Sequence, residues 1–178
     1  MLPDRATAWS GELRQVHAKL RTALALARAA LDGGDPADAA TDLLLFCHGF
    51  CTALSGHHRA EDGSLFPELL RARPDLAPVV AKLTQDHNMI EHLIGALRKA
   101  VADSTDPEVA HLHLDGIEAV METHFTYEEK QLGPVLDDMD TADFDRTEIF
   151  GPLGRSAPGS GGAQEQVRTP SSQAGPLM

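Results

Sequence analysis

The sequence has few aromatic residues and no long apolar run. It contains six Phe, one Trp and one Tyr among 178 residues, so small and branched aliphatic side chains supply most of its 42% hydrophobic content. A membrane-spanning helix needs roughly 18 or more consecutive apolar residues, and no such run occurs in the sequence. We therefore expect no membrane-spanning segment and no membrane partner.

Basic residues are scarce relative to acidic ones. The chain has 15 Lys and Arg against 27 Asp and Glu, which gives a net charge of −12. Nucleic-acid phosphates would be repelled by this charge, so nucleic acid is not an expected partner. The first eight residues include Asp4 and Arg5 and no apolar segment. This composition predicts no secretory signal, and hence a cytoplasmic location.

Cysteine is also scarce. Cys47 and Cys51 are the only two, and they lie four residues apart in an apolar, helix-like stretch. A disulfide between them would strain a helix, and cytosolic thiols remain reduced. We interpret both as small core residues rather than as a redox pair.

The distribution of apolar residues predicts an all-α protein. Apolar side chains recur at three- and four-residue steps in four long stretches, which is the period of a helix with one buried face. Gly or Pro residues separate these stretches and end or begin helices. The fold expected for residues 1–150 is an up-down-up-down four-helix bundle, with helices at Thr7–Leu31, Pro36–Ala72, Ala77–Ala102 and Pro107–Met139 and a short one at Thr141–Phe150. Residues 151–178 are rich in Gly, Pro and Ser and are predicted to form a disordered tail.

The second predicted helix has unusual features. Gly49, Gly56 and Gly63 recur at seven-residue steps along it, and they indicate positions where a neighbouring helix approaches closely. Pro67 lacks a backbone N–H and predicts a kink or a weakening of the last turns.

An eleven-residue phrase occurs twice, as HHRAEDGSLFP from His57 and as HFTYEEKQLGP from His124. The copies share a His, a Glu four residues later, an acidic residue after that Glu, and Leu and Pro at fixed offsets. Residues four apart lie on one face of a helix, so His57 with Glu61, and His124 with Glu128, should point in the same direction. The spacing alone is weak evidence, but the matched Leu and Pro strengthen it.

A lone histidine on an apolar face precedes each phrase. His17 precedes the first copy and His87 the second. An inward histidine taken alone is more often an ordinary core residue, but two matched His–Glu faces and two further histidines favour a metal. A buried Glu61 or Glu128 without a cation would be costly, and no Lys or Arg lies on these faces. Four His and two Glu could hold two iron ions and leave positions for small ligands.

The predicted position of His17 along the bundle axis does not match that of the other predicted ligands. Counting residues from the turns places His17 about 9 Å from the level of His57, at about 1.5 Å per residue. His17 is therefore the least secure predicted ligand, and His48 competes with it.

Several other polar residues lie close to the predicted ligands in the sequence. We interpret His58 and Asp62 as residues beside the site or at the surface rather than as ligands. Glu91 and Glu129 receive the same interpretation, with Glu91 the best candidate for a seventh ligand. Tyr127 lies close enough to be a redox neighbour.

The order of these residues resembles the hemerythrin-like (HHE cation-binding) domain over Leu13–Leu136, through His17, His57-x-x-x-Glu61, His87 and His124-x-x-x-Glu128. The resemblance implies a four-helix bundle with two non-haem iron ions, bridged by oxygen or hydroxide and by the two glutamates. The four histidines would be terminal ligands.

One departure from the oxygen-transporting members concerns function. The pattern typical of those proteins has five histidines, one of them four residues after the ligand of the third helix. In this sequence that ligand corresponds to His87, and the residue four positions later is Glu91. Fewer nitrogen donors favour redox turnover over reversible oxygen carriage, and the pattern is closer to hemerythrin-like proteins of actinobacteria. The expected function is binding of oxygen or peroxide in oxidative-stress or peroxide handling, with catalase- or peroxidase-like turnover one form of it. An oxygen, nitric oxide or iron sensing module and a metal-free helical interaction domain remain alternatives, and the oligomeric state stays open.

Overall fold

Four long helices form the bundle. The computed structural model describes residues 8–32, 36–103, 106–139 and 145–154. The long helices are α1 (Trp9–Asp32), α2 (Pro36–Ala60), α4 (Ala77–Asp103) and α5 (Pro107–Asp138). Helix α1 packs against α2 and α5, and α4 packs against the same two helices, so that the four surround one core. The described residues include no strand, and the predicted all-α, up-down-up-down bundle is confirmed.

The apolar faces predicted from the sequence form the core. On α1 the buried side chains recur at three- and four-residue steps from Leu13 to Leu31, and α4 buries a similar series from Val80 to Leu97. The start of α5 is set by Asp106, whose side chain accepts a hydrogen bond from the Glu108 N–H, and by Pro107 in the first turn. Residue 7, the predicted start of the first helix, lies outside the described residues.

The second predicted helix is not uniform. After α2 the chain forms a π-helical segment at Glu61–Leu65, then α3 at Phe66–Ala72 and a 3₁₀ turn at Pro74–Leu76. Pro67 has no N–H to donate to the carbonyl four residues earlier and lies in the first turn of α3. The predicted disturbance is therefore present as a change of helix type, and such π segments often occur at functional sites.

A short terminal segment, Asp145–Gly154, follows α5. It consists of α6 (Arg146–Phe150) and a 3₁₀ turn at Gly151–Gly154, and the Asp145 side chain accepts hydrogen bonds from the first N–H groups of α6. The prediction that residues 151–154 begin a disordered tail is wrong, because Gly151 and Gly154 are buried against the rest of the fold. Residues 155–178 of the predicted tail, and 141–144 of the predicted last helix, lie outside the described residues.

The three glycines of the second predicted helix do not mark an approach by another long helix. A Cβ atom at Gly49 or Gly63 would meet nothing within 4 Å, so the prediction of close approach is wrong for these two. At Gly56 it would lie 3.2 Å from a side-chain carbon of Pro152, in the terminal segment.

The cysteines are core residues, as predicted. Cys47 and Cys51 are free thiols and both are buried. Burial, with a smaller contribution from Cys51, raises the pKa of the Cys47 thiol to about 12. The thiolate form, which is the reactive one, is therefore suppressed. None of the described helices combines the length and the apolar character that crossing a membrane requires.

Candidate metal centre

All six predicted ligands point into the bundle interior. Each has an exposed fraction of 4% or less, and the six are contributed by four helices and the π segment: His17, His57, Glu61, His87, His124 and Glu128. The predicted height mismatch of His17 is not present, since its ring lies 5.3 Å from that of His57. The competing His48 is exposed on the surface of α2.

One group of donors consists of His17, His57, Glu61 and Glu128. One donor atom from each lies within 4.8 Å of the others. His17 Nε2 is 3.3 Å from Glu128 Oε2, and His57 Nε2 is 3.2 Å from Glu61 Oε1. Donors about 2.1 Å from one ion are about 3 Å apart when adjacent and about 4 Å apart when opposite. The spacing therefore fits a single ion.

A second group consists of His58, His87 and His124, again with donor atoms within 4.8 Å of one another. The carboxylates of the first group also face this one. Glu61 Oε2 lies 3.5 Å from His87 Nε2, and Glu128 Oε2 lies 3.6 Å from His124 Nε2. Both carboxylates are thus placed between the two groups, where they could be shared by two cations.

Most donor atoms of the two groups lack hydrogen-bond partners among the described residues, whereas His87 Nε2 and His124 Nε2 lie 3.2 Å apart and share a hydrogen bond. No hydrogen bond in the described part of the chain reaches these buried atoms: His17 Nε2, His57 Nε2, both ring nitrogens of His58, and all four carboxylate oxygens of Glu61 and Glu128. A buried polar atom left without a partner costs about 1–3 kcal/mol. The ion pairs of the two glutamates within the described residues are all with histidines. Bound cations would satisfy the atoms that face the two groups, with each histidine offering one ring nitrogen.

The electrostatics of the interior also suit a cation. Burial lowers the pKa of His57 to about 3 and that of His124 to about 4, and it keeps the pKa of His58 well below its usual value. These imidazoles are therefore neutral, which is the form that binds metal. Burial, followed by the proximity of Glu128, raises the pKa of Glu61 well above its usual value, so a second negative charge is disfavoured unless a cation compensates it.

The comparison with known protein families agrees with this site. The family model of the hemerythrin HHE cation-binding domain matches residues 10–136, a range that contains every residue of both donor groups. The chain belongs to this family. A search of curated proteins and a search of solved structures found no match.

The two acidic doublets of this hemerythrin-family chain are Glu61–Asp62 and Glu128–Glu129, and the two carboxylates of each doublet have different contacts. The first carboxylate of each doublet faces the donor groups, whereas the second contacts a histidine on a neighbouring helix. Asp62 Oδ1 lies 3.0 Å from His87 Nδ1, and Glu129 Oε1 lies 2.7 Å from His17 Nδ1. Each carboxylate accepts a hydrogen bond from Nδ1–H and so turns Nε2 toward the centre. Asp62 and Glu129 lie beside the site, as the sequence predicted.

His58, interpreted from the sequence as lying beside the site or at the surface, is not at the surface. It is 4% exposed, stacks on the His87 ring at a centroid distance of 4.0 Å and belongs to the second donor group. Adjacent residues on a helix point about 100° apart, which made a second inward histidine unexpected. Because the two donor groups lie side by side, one turn of α2 can serve both. The doubled histidine at the start of the first phrase was the available signal.

Glu91, predicted as the best seventh ligand, is outside the centre. It is exposed and accepts a hydrogen bond from Ser55 Oγ at 2.6 Å. The fifth histidine of the two donor groups is His58 of α2, whereas the position four residues after His87 contributes no donor to either group. Tyr127 is partly buried, with Lys82 Nζ 4.9 Å from its ring centroid.

Proposed function

We propose that this hemerythrin-family protein holds two non-haem iron ions and binds oxygen or peroxide there, in the handling of peroxide. The observation that carries the proposal is the convergence of five histidines and two glutamates in two adjoining groups. Most of their donor atoms are buried without hydrogen-bond partners in the described residues. A mixed nitrogen and oxygen donor set of this kind suits iron.

The donors divide unequally between the two ions. His58, His87 and His124 would hold one ion, whereas His17 and His57 would hold the other, with Glu61 and Glu128 shared by both. The ion beside His17 and His57 would therefore have fewer protein ligands and more room for a small molecule. Iron at this site would supply the one- and two-electron redox steps that oxygen or peroxide chemistry requires.

Side chains around this ion restrict access by water. The Phe125 ring is fully buried and stacks on His17 at a centroid distance of 3.8 Å. Phe150, also fully buried, lies at the His57 side. An apolar enclosure of this kind strengthens the electrostatic interactions inside it.

A second candidate function is supported by His58. The sequence interpretation favoured turnover because it counted four nitrogen donors, and the burial of His58 brings a fifth. More imidazole and proportionally less carboxylate stabilises ferric iron less strongly, so the reason for preferring turnover is weaker. Binding or sensing of oxygen, nitric oxide or iron without turnover is the alternative that this observation favours.

Iron-loaded protein mixed with hydrogen peroxide distinguishes the two functions. In disproportionation one peroxide is oxidised to oxygen and a second is reduced to water, so we expect oxygen evolution at an electrode. Glu128→Ala should abolish it by removing a shared carboxylate, while Glu118→Ala, an exposed carboxylate of the same helix paired with Arg28, should leave it unchanged.

Other outcomes separate the alternatives. A stable charge-transfer band that disappears on deoxygenation, with no oxygen evolved from peroxide, would support binding or sensing. Protein that takes up no iron in aerobic or anaerobic loading would contradict both functions and leave a helical interaction domain.

A further inference from the structure

His57 has a partner that does not come from the four-helix bundle. Its Nδ1 lies 3.2 Å from the backbone carbonyl oxygen of Phe150, and the contact is buried. His17 and His87, by contrast, have carboxylate partners on α5 and in the π segment. Phe150 is in the terminal segment, Asp145–Gly154, beyond the residues 10–136 that match the family model. One inward histidine is therefore oriented by a separate element.

The terminal segment is held tightly where it meets α2. Gly151 has a φ angle of 74°, and a Cβ atom there would lie 2.8 Å from the carbonyl oxygen of Gly56, the residue before His57. Only glycine allows both this conformation and this approach. The Phe150 carbonyl is thereby delivered to a defined position next to the His57 ring.

Further contacts anchor the segment to α1. The Phe150 ring packs against Trp9 at a centroid distance of 5.6 Å. Lys19 Nζ donates a hydrogen bond to the Leu153 carbonyl at 2.7 Å, and Arg146 lies 3.5 Å from the buried carboxylate of Glu12. The segment thus joins α1 and α2 at the level of the donor group that contains His17 and His57.

We propose that the terminal segment is a positioning element for one of the two ions, the one beside His17 and His57. The Phe150 carbonyl accepts the hydrogen bond of the His57 Nδ1–H, which selects the tautomer whose Nε2 faces Glu61 and fixes the ring plane. This inference rests on the proposed two-ion centre. It assigns to the segment control over how firmly one ion is held, since no hydrogen bond links the described residues of the segment to His58, His87 or His124.

Displacing the segment should therefore loosen one ion and not the other. Gly151→Ala introduces a side chain where φ is positive and the Gly56 carbonyl leaves no space, so it should undock the segment. Gly95→Ala is the matched control, because a Cβ atom at this helical glycine of α4 meets nothing within 4 Å. Full-length proteins are loaded with iron and challenged with a chelator.

We expect each of the two ions to leave Gly95→Ala at the same rate as it leaves the wild-type protein. In Gly151→Ala one ion should leave at least about tenfold faster, while the second keeps its wild-type rate. Lys19→Met, which removes only the contact with the Leu153 carbonyl, should produce the same pattern with a smaller change. Circular dichroism should show an unchanged helical content in all variants.

A spectroscopic measurement separates positioning from general destabilisation. In the Co²⁺-loaded protein, proton NMR resolves the shifted Nδ1–H signals of bound histidines. The buried His57 N–H should exchange slowly with deuterium in wild type, and one signal should exchange rapidly in Gly151→Ala, while the others keep their rates.

The outcomes distinguish this inference from the proposed function. Equal release of both ions at wild-type rates in Gly151→Ala would overturn the positioning role, as would a parallel acceleration of both ions. A wild-type protein that takes up neither iron nor cobalt would instead contradict the proposed centre, and the inference would fall with it.

Discussion

Glu61 and Asp62 are neighbours in the chain, yet their carboxylates contact different partners. Glu61 is completely buried between the two donor groups, whereas Asp62 lies at the edge of the site and contacts His87 Nδ1. In the second doublet Glu128 is likewise buried and faces His17 Nε2, whereas Glu129 contacts His17 Nδ1. A single repeated pair of acidic residues thus supplies both a candidate shared ligand and an orienting group in each half of the bundle.

Asp62→Asn should weaken metal binding without removing a ligand. The amide would lose the charge that supports His87 and could present its NH₂ group to the ring, and loss of such a partner typically lowers metal affinity about 10–100-fold. Competition with a chelator measures this. Asp75→Asn, which alters an exposed carboxylate paired with Arg73, is the control, and equal affinities for the two variants would exclude an orienting role for Asp62.

His58→Ala tests whether the fifth histidine is a ligand. Its ring is buried and both ring nitrogens lack hydrogen-bond partners within the described residues. If it holds the ion beside His87 and His124, the variant should retain about one iron per chain where wild type retains two, because one group loses a third of its imidazoles. His92→Ala, at an exposed position of α4, serves as the control. Wild-type iron content in His58→Ala would show that the histidine only fills space.

At the scale of elements, periodicity predicted the long helices well and their irregularities less well. Helix α4 was predicted at Ala77–Ala102 and ends one residue later, because a regular apolar repeat bounded by proline and polar residues is a local signal. The π segment at Glu61–Leu65 was visible only as a proline expected to disturb the helix. Pro67 indicated that the helix would be disturbed, but not that the disturbance would be a π segment beginning at Glu61.

The sequence interpretation predicted a short helix ending at Phe150 but missed the ordered turn at residues 151–154 that follows it. Gly-Pro-Leu-Gly at residues 151–154 has the composition of a flexible tail, and composition alone predicts disorder. Its order comes from long-range contacts, such as the one between Phe150 and His57, which are 93 residues apart. The same glycine that suggested flexibility is needed for the chain to approach Gly56.

At the scale of the whole molecule, the buried polar centre makes the metal-free bundle sensitive to acid. In the unfolded chain a histidine is protonated below a pKa of about 6.5. Burial lowers the folded-state pKa of His57 to about 3 and of His124 to about 4, with His58 lowered as well. The unfolded state therefore binds more protons in this range, and stability decreases as pH falls.

We expect the free energy of unfolding of the metal-free protein to fall between about pH 6.5 and about pH 4.5. The pKa of Glu61 is raised by burial and by Glu128, so this carboxyl group keeps its proton in the folded state. It therefore reduces by about one the excess of protons that the three histidines give the unfolded state. The net difference of about two protons corresponds to a slope of about 2–3 kcal/mol per pH unit. Urea denaturation at several pH values, with a chelator present, measures this. A free energy that is constant or rises on acidification would be inconsistent with three buried neutral histidines.

The sequence alone determined that this chain forms a helical bundle with inward-facing His–Glu pairs. Residue spacing is a local property, and a helix converts it directly into a shared face, so six buried candidate ligands could be named without coordinates. Only the tertiary structure decided that His58 faces the centre while Glu91 does not, and that the terminal segment contacts His57. These features depend on how each helix is rotated and which distant residues it meets, because packing between elements sets both.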